Sequence, residues 1–350
     1  MSFVHLHVHT QYSILDGMSD IKKLFARAEE LGMPGIAITD HGNMYGVKDF
    51  CDVASKFPSV KPIIGCEVYV TRHFDHKIKD KEHSKYYHLI LLAKNYKGYC
   101  NLMKIVSIGF IEGKYTRPRV SHEVIEQYHE GLICCSACMA GEIPVAILAG
   151  DSKGADDAIT WHKRVFGDDY YLEVMMHRTE VPGMSLDLYE KQKEYCEGIF
   201  QLAEKHNVKV VATNDVHFVR KEDALAHDRL ICLTTNSLVD APKRLRYTQQ
   251  EYLKSEEEMA AIFPDHPEVL SNTLEVLEKV EKYKINRGHV LPKYNIDPEF
   301  LNNIDFYLEK YGDIIENGKY DIEKDSEGNH IGKKYFANSE VFIKDVFKGI

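Results

Sequence analysis

Short apolar runs alternate along the chain with longer amphipathic stretches, the pattern of repeated strand–helix units. The run Phe3 to Thr10 has a period of two. It predicts a strand with His5, His7 and His9 on one face and Val4, Leu6 and Val8 on the other. Ser19 or Asp20 then caps a helix through Glu30, and Gly32 stands where a C-terminal glycine belongs. A second strand ends in Asp40 and His41, and its helix covers about 45–56. The third strand, Lys61 to Val70, carries Glu67 in an apolar run. Arg72 to Lys85 reads as a charged, solvated loop before a fourth strand that starts at His88. The fifth strand leads to Cys138, the sixth covers Asp169 to Met176, and the seventh, Val208 to Thr213, is followed by Asp215 and His217. Seven such strands predict an α/β fold with a closed or nearly closed barrel, in which polar residues gather at the carboxyl ends of the strands. Beyond Phe218 the pattern turns helical. Ser255 and Glu258 fit a capping box, and Glu268 to Tyr283 has an apolar stripe at helical spacing. From Leu291 the pattern weakens, and Asp321 to Lys334 reads as a polar loop.

Composition narrows the class. With 350 residues, 44% of them hydrophobic, the chain can bury one barrel-sized core and a small appendage. No apolar run has the length of a membrane span, and Met1 to Thr10 lacks the features of a signal peptide, so a cytoplasmic protein with no membrane partner is expected. Eight cysteines in such a chain suggest reduced thiols with metal or catalytic use. The formal charge of −10 argues against a surface that grips nucleic acid all over. Arg117-Pro-Arg119 and Lys243 to Tyr247 remain as local basic patches.

The chemistry gathers at the strand ends. Alternate histidines followed by Asp16 form a metal-binding pattern, and Glu67 in so apolar a run needs a partner. The candidate ligands are His7, His9, Asp16, His41, Glu67, His88, Cys138, Asp215 and His217. Nine donors exceed the four of one tetrahedral zinc, so more than one ion is implied, and three fit the count best. Asp16, Glu67, Asp215 and a Cys138 thiolate bring about −4 against +6 for three divalent cations, a balance that suits a phosphate ester. Imidazole and thiolate donors favour Zn, Mn or Fe over Mg. Asp40 is either a ligand or an orienter of a ligating histidine, and His5 reads as an outer-shell or core residue. Cys135 and Cys138 form a Cys-x-x-Cys whose redox reading has no second pair to support it. Cys51, Cys66, Cys100, Cys196 and Cys232 read as buried apolar residues. His177 and Arg178 follow the sixth strand, where they could meet a substrate phosphate.

The motifs His-Leu-His-Val-His-Thr-Gln-Tyr-Ser-Ile-Leu-Asp-Gly, Ala-Ile-Thr-Asp-His-Gly-Asn, Gly-Cys-Glu-Val-Tyr-Val, Tyr-His-Leu-Ile-Leu-Leu-Ala-Lys-Asn, Arg-Pro-Arg-Val, Cys-Met-Ala-Gly-Glu-Ile and Thr-Asn-Asp-Val-His-Phe occur in this order. Together, over Ser2 to Lys284, they resemble the polymerase-and-histidinol-phosphatase (PHP) domain at the N-terminus of bacterial replicative polymerase III alpha subunits. The resemblance implies a distorted (β/α)7 barrel with a mainly helical C-terminal extension and a trinuclear metal site made by the nine residues above. Asp16 and Cys138 stand where free-standing phosphatases of the superfamily tend to have histidines, which points to the polymerase branch. It divides the chain into a phosphoesterase domain at 1–285 and, at 286–350, a linker and the start of a polymerase region, partly irregular. The palm, with its catalytic aspartates, would lie beyond Ile350, so this stretch alone should not polymerise DNA. The expected activity is that of a metal-dependent phosphodiesterase, a 3′→5′ exonuclease acting on the 3′ end of the primer strand. Asp16, Asp215 and His217 would serve the chemistry, and Arg119 or Arg178 would steady the next phosphate. The expected partners are DNA, the remaining polymerase domains and other replisome subunits. The alternatives are a structural module held together by its metals and a phosphomonoesterase like histidinol phosphatase.

Overall fold

The computed structural model of the protein describes residues 3–286. Most of the apolar runs become strands: β1 (Gly35–Ile38), β2 (Lys61–Thr71), β3 (Tyr87–Ala93), β6 (Leu132–Cys135), β7 (Tyr170–Val174) and β8 (Lys209–Ala212). Two strands lie where none was expected, β4 (Lys114–Tyr115) and β5 (Arg117–Ser121). The eight join in one curled sheet of order β4-β5-β2-β3-β6-β7-β8, with β1 also paired to β2. Around it are α1 (Ile21–Glu30), α2 (Val47–Ala54), α3 (Tyr96–Ile111), α4 (His122–Tyr128), α5 (Glu142–Leu148), α6 (Ser152–Phe166), α7 (Asp187–His206), α8 (Ala224–Thr234), α9 (Glu256–Ile262) and α10 (Glu268–Lys279). Asp20 caps α1 by accepting from the Lys23 amide, and Ser255 and Glu258 form the capping box of α9.

The sheet departs from a run of parallel units at β3, which pairs antiparallel with both β2 and β6. A parallel neighbour needs a crossover, usually a helix. The link from β2 to β3 contains no helix, so the chain re-enters the sheet at the end it has just left. His88, at the amino end of β3, therefore lies opposite Tyr69 near the carboxyl end of β2. A residue at the start of a strand thus joins those at the ends of the others.

The expected first strand does not form a regular ladder. Its backbone is held on both sides all the same: Ala37 N donates to His5 O and Thr39 N to Val8 O, while His9 N donates to Val216 O and Val216 N to His7 O. The amide of Val8 is taken by the Thr39 hydroxyl at 2.8 Å, which interrupts the pairing with β1. Val4 and Leu6 point into an inner core with Ile63, Ile90, Leu92, Ile133, Tyr171 and Val211. Alternate positions such as Ile64, Leu91, Cys134 and Leu172 face the helices in an outer core. The last helix is no loose extension: Val276 and Leu277 of α10 enter the inner core, and the Lys61 ammonium at the start of β2 donates to Leu277 O. α10 thus covers the end of the sheet opposite His88. Among the described residues no helix is long and apolar enough to cross a membrane. The linker and polymerase start expected at 286–350 lie, apart from Asn286, outside the described residues.

Candidate metal centre

All nine candidate ligands converge at the carboxyl ends of β1, β2, β6 and β8 and the amino end of β3. His7 and His9 come from the buried N-terminal segment. A tight turn follows in which a Cβ on Gly17 would lie 2.0 Å from Thr10 O, and this turn delivers Asp16. His41 follows β1 and bridges Glu67 of β2, while Cys138 follows β6 and Asp215 and His217 follow β8. Donor atoms of His9, His41 and His217 approach within 4.8 Å of one another, as do those of His7, His9 and Asp215, and those of Glu67, His88 and Cys138. Asp16 Oδ2 lies 3.4 Å from His41 Nε2. Glu67 stands at the centre, with Oε1 2.7 Å from His88 Nδ1 and 3.4 Å from His7 Nε2, and Oε2 in contact with His41 Nδ1.

Three of the imidazoles are set up as ligands by what their other nitrogen does. His7 Nδ1 donates to Glu173 at 2.7 Å, His9 Nδ1 to the Ser13 hydroxyl at 3.1 Å, and His217 Nδ1 to Asp215 O at 2.7 Å. In each ring Nε2 is then the nitrogen that faces the site and would take a metal ion. His7 Nε2 and His9 Nε2 are only 3.1 Å apart and lie 3.3 and 3.1 Å from Asp215 Oδ1. Buried Asp16 Oδ1, Asp215 Oδ1 and His217 Nε2 have no hydrogen-bond partner. Unsatisfied buried donors and acceptors are costly, and a cation among them would satisfy all three. The donor set fits divalent metal ions.

The electrostatics agree. Burial works against a charge on His7 and His41, yet Asp215 and Glu173 around the first and Glu67 and Asp16 around the second raise both well above the usual imidazole value. Burial likewise opposes ionisation of Glu67 and Asp215, but neighbouring histidines hold both well below the usual carboxylate range. Burial, with His41 and His217 alongside, lowers His9 to about 3. Burial and the nearby Glu67 raise the Cys138 thiol. Without ions, protons on His7 and His41 balance the carboxylates, and metal uptake displaces them.

Residues 5–177 match the PHP domain family. The chain carries a PHP domain. The match contains seven of the nine candidate ligands, and Asp215 and His217 lie beyond it. Among curated proteins, the chain is 42% identical over 310 residues to the DNA polymerase III subunit alpha of Borreliella burgdorferi, covering 88% of this chain and 26% of the relative. It is 40% identical over 326 residues to that of Treponema pallidum, covering 92% and 26%. The chain thus spans about a quarter of the length of the relatives it matches. Among solved structures, an amidohydrolase from Chromobacterium violaceum aligns with a TM-score of 0.37 at 14% identity, over 62% of this chain and 88% of that one. Histidinol phosphate phosphatase from Lactococcus lactis, with zinc, L-histidinol and phosphate, aligns with a TM-score of 0.32 at 12% identity, over 72% and 99%. Likeness this distant bears on neither mechanism nor substrate.

The remaining candidates occupy distinct places in the PHP domain. Asp40 reaches the cluster through Ser13, accepting from its hydroxyl at 2.9 Å, so it orients His9 and does not face the ligands. His5 is fully buried away from the ligand groups, hydrogen-bonded to Lys254 O at 2.9 Å, and burial lowers it to about 4. His177 is buried beside the centre, its Nε2 donating to Asn214 O at 3.1 Å, and Arg178 is exposed. Arg119 differs from expectation. It is fully buried and its guanidinium donates to the carbonyls of Gly113, Ile78, His76 and His83, so it ties down the loop before β3 and does not line the cavity over the centre. Arg117, two residues earlier, lines the 440 Å³ cavity over the centre with Tyr12, Tyr69, Tyr86 and Tyr247.

One functional residue escaped the sequence reading. Glu173 of β7, fully buried, accepts from His7 Nδ1, from the Thr213 hydroxyl at 2.6 Å and from Ala137 N at 3.1 Å. Its signal was the one that marked Glu67, a carboxylate inside an apolar run. A separate buried group, His122, Glu142 and His162, already has a cation: Arg72 Nε lies 2.7 Å from Glu142 Oε1.

Proposed function

We propose that this PHP domain is a metal-dependent phosphodiesterase that removes nucleotides from the 3′ end of a DNA strand, as the N-terminal part of a polymerase III alpha subunit. The observation that carries the reading is the unpartnered His217 Nε2 and the unpaired oxygens of Asp16 and Asp215 beside Glu67, next to a cavity walled by four tyrosines and one arginine. Aromatic walls with a cation suit a single strand, whose bases stack and whose backbone is anionic. The nine ligands would hold up to three ions, with Zn, Mn or Fe favoured by the nitrogen and sulfur donors and Mg less suited. When bound, such ions polarise phosphoryl oxygens and lower the pKa of water. Asp215, whose Oδ1 has no hydrogen-bond donor, would take the proton as water attacks the terminal phosphorus. The bond from phosphorus to the preceding 3′ oxygen would break and the proton held on Asp215 would pass to that leaving oxygen, while His217, donating from Nδ1 to Asp215 O, would hold Asp215 in place. Asp16, which accepts from the Tyr247 hydroxyl at 3.3 Å, would fix that ring beside the reacting phosphate. Arg117 would pair with the next phosphate, the part first expected of Arg119, and exposed Arg178 is an outer contact.

The fold reading follows. The N-terminal segment, bonded to β1 on one side and to Val216 on the other, would act as the seventh stave of a distorted (β/α)7 barrel. The phosphoesterase domain would extend to about residue 285, with 286–350 leading toward the polymerase domains.

The test compares 3′-labelled single-stranded and mismatched DNA with a phosphomonoester such as histidinol phosphate, using wild type and Asp16→Asn. Manganese-dependent shortening from the 3′ end by wild type and not by the variant is the expected result. Faster turnover of the monoester would favour a metabolic phosphatase. No cleavage of either by fully metallated protein would favour a structural role.

A further inference from the structure

A second cavity of about 250 Å³ adjoins the metal chamber. Cys138, Asp215 and Tyr247 line both, so the two meet at these side chains. Its character is different. The chamber holds the ligands and Arg117, whereas the annexe is walled by Met139, Met175, Leu188, Leu245 and the Tyr247 ring. Leu188 and Leu245 keep 37% and 55% of their surface exposed.

Exposed Arg246 of the annexe donates to Val239 O at 3.3 Å, and the side chains of Gln192, His177 and Glu251 are held in hydrogen bonds. Gln192 Oε1 accepts from His177 N at 2.7 Å. His177 Nε2 donates to Asn214 O, which leaves Nδ1 to accept from the Gln192 amide at 3.3 Å. Glu251 accepts from Thr248 N, the Thr248 hydroxyl and Gln250 N. The wall thus offers apolar surface and one aromatic ring, with the Arg246 guanidinium as its one cation.

We propose that this annexe is the subsite for the 3′-terminal nucleoside, and that it holds the base by stacking and apolar contact without reading its identity. The inference rests on the phosphodiesterase reading above. With the scissile phosphate among the ligands, the terminal nucleoside is the uncharged part of the substrate and the rest of the strand is polyanionic. The annexe, mostly apolar, with the carboxylates of Asp215 and Glu251 against the single cation of Arg246, suits the first and offers the second no net positive charge. The strand then leaves along the side that presents Arg117. A pocket that makes no hydrogen bonds to a base edge discriminates weakly between bases, which suits removal of any terminal nucleotide.

The test uses manganese-loaded protein and two strands that differ only at the 3′ end, one with an ordinary nucleotide and one with an abasic tetrahydrofuran. Wild type should favour the base-bearing end in kcat/KM by about tenfold, the scale of one base stacked on an aromatic ring, with the four bases within about threefold of each other. In Leu188→Asp and Leu245→Asp, both at partly exposed positions, that preference should fall toward one. Equal cleavage of both ends by wild type, a strong preference for one base, or an undiminished preference in both variants would overturn the proposal. If no strand is cleaved at all, the phosphodiesterase reading fails, and the subsite is judged by binding alone. Quenching of 2-aminopurine at the 3′ end by wild type, lost in Leu245→Asp, would support it; identical quenching in both would overturn it.

Discussion

Replacing Glu173 with Gln tests whether the centre depends on a residue that is not itself a ligand. The side chain is fully buried and receives three hydrogen bonds, from His7 Nδ1 at 2.7 Å, the Thr213 hydroxyl at 2.6 Å and Ala137 N at 3.1 Å. A carboxylate accepts all three. An amide of the same shape turns an NH2 toward at least one donor, leaving a buried donor unpaired at a cost of about 1–3 kcal/mol. It also weakens the partner that fixes the His7 tautomer, and loss of such an orienter lowers metal affinity about 10–100-fold. The metal-free variant should therefore melt lower than wild type by about 2–4 °C per kcal/mol lost, and the gap should widen at limiting free zinc. Melting curves with and without metal, together with metal content by mass spectrometry after dialysis against a competing chelator, separate the two effects. A folded variant that retains metal as tightly as wild type would refute the role assigned to Glu173.

Other outcomes follow from the same geometry. Chelation should lower the melting temperature by about 5 °C or more, since an ion at a hundred times its dissociation constant adds about 2.7 kcal/mol; an unchanged curve after verified metal removal would argue against a preformed site. Arg117→Ala should raise KM for DNA and flatten its salt dependence while leaving the melting temperature near wild type, whereas Arg119→Ala, which strands four carbonyls, should cost about 3 kcal/mol of stability. Burial, with His122 nearby and Glu142 opposing, pushes His162 down to about 4 from 6.5. The unfolded chain then binds that proton first, so stability is full above 6.5 and falls as pH drops toward 4, by at most about 3 kcal/mol. In His162→Phe, which keeps the stack on Tyr170, denaturant unfolding between pH 7 and 4.5 should show a shallower loss than wild type, and an equal loss would count against this assignment.

The candidate ligands were legible because most are polar residues in or beside an apolar run, where a partner is needed to explain them. The N-terminal histidines, Glu67, His88 and the pair Asp215 and His217 all carry that signal, and the structure gathers them. Direction was not legible. Alternation has the same period whichever way a strand runs, so the reversal of β3 is set by the missing crossover helix after β2 and not by β3 itself. Arg119 misled for a related reason. An Arg-Pro-Arg run looks like surface, but β4 and β5 form a short hairpin that turns the second guanidinium inward to the carbonyls of the loop before β3. Glu173 bore the same mark as Glu67, and its partner His7 is 166 residues away, so nothing local in the sequence pairs the two. The interior role of α10 was hidden as well, since an apolar stripe shows that a helix is covered and not what it covers.

The most direct test of the central claim is stepwise reactivation of metal-stripped protein. Manganese is added in known equivalents while bound metal and release of the 3′-terminal nucleotide from labelled DNA are measured on the same samples. The account predicts no release from the stripped protein, release that rises with occupancy as the ligands fill, and none from Asp16→Asn at equal manganese. Full occupancy of the centre in folded wild type with no release of nucleotide would contradict it.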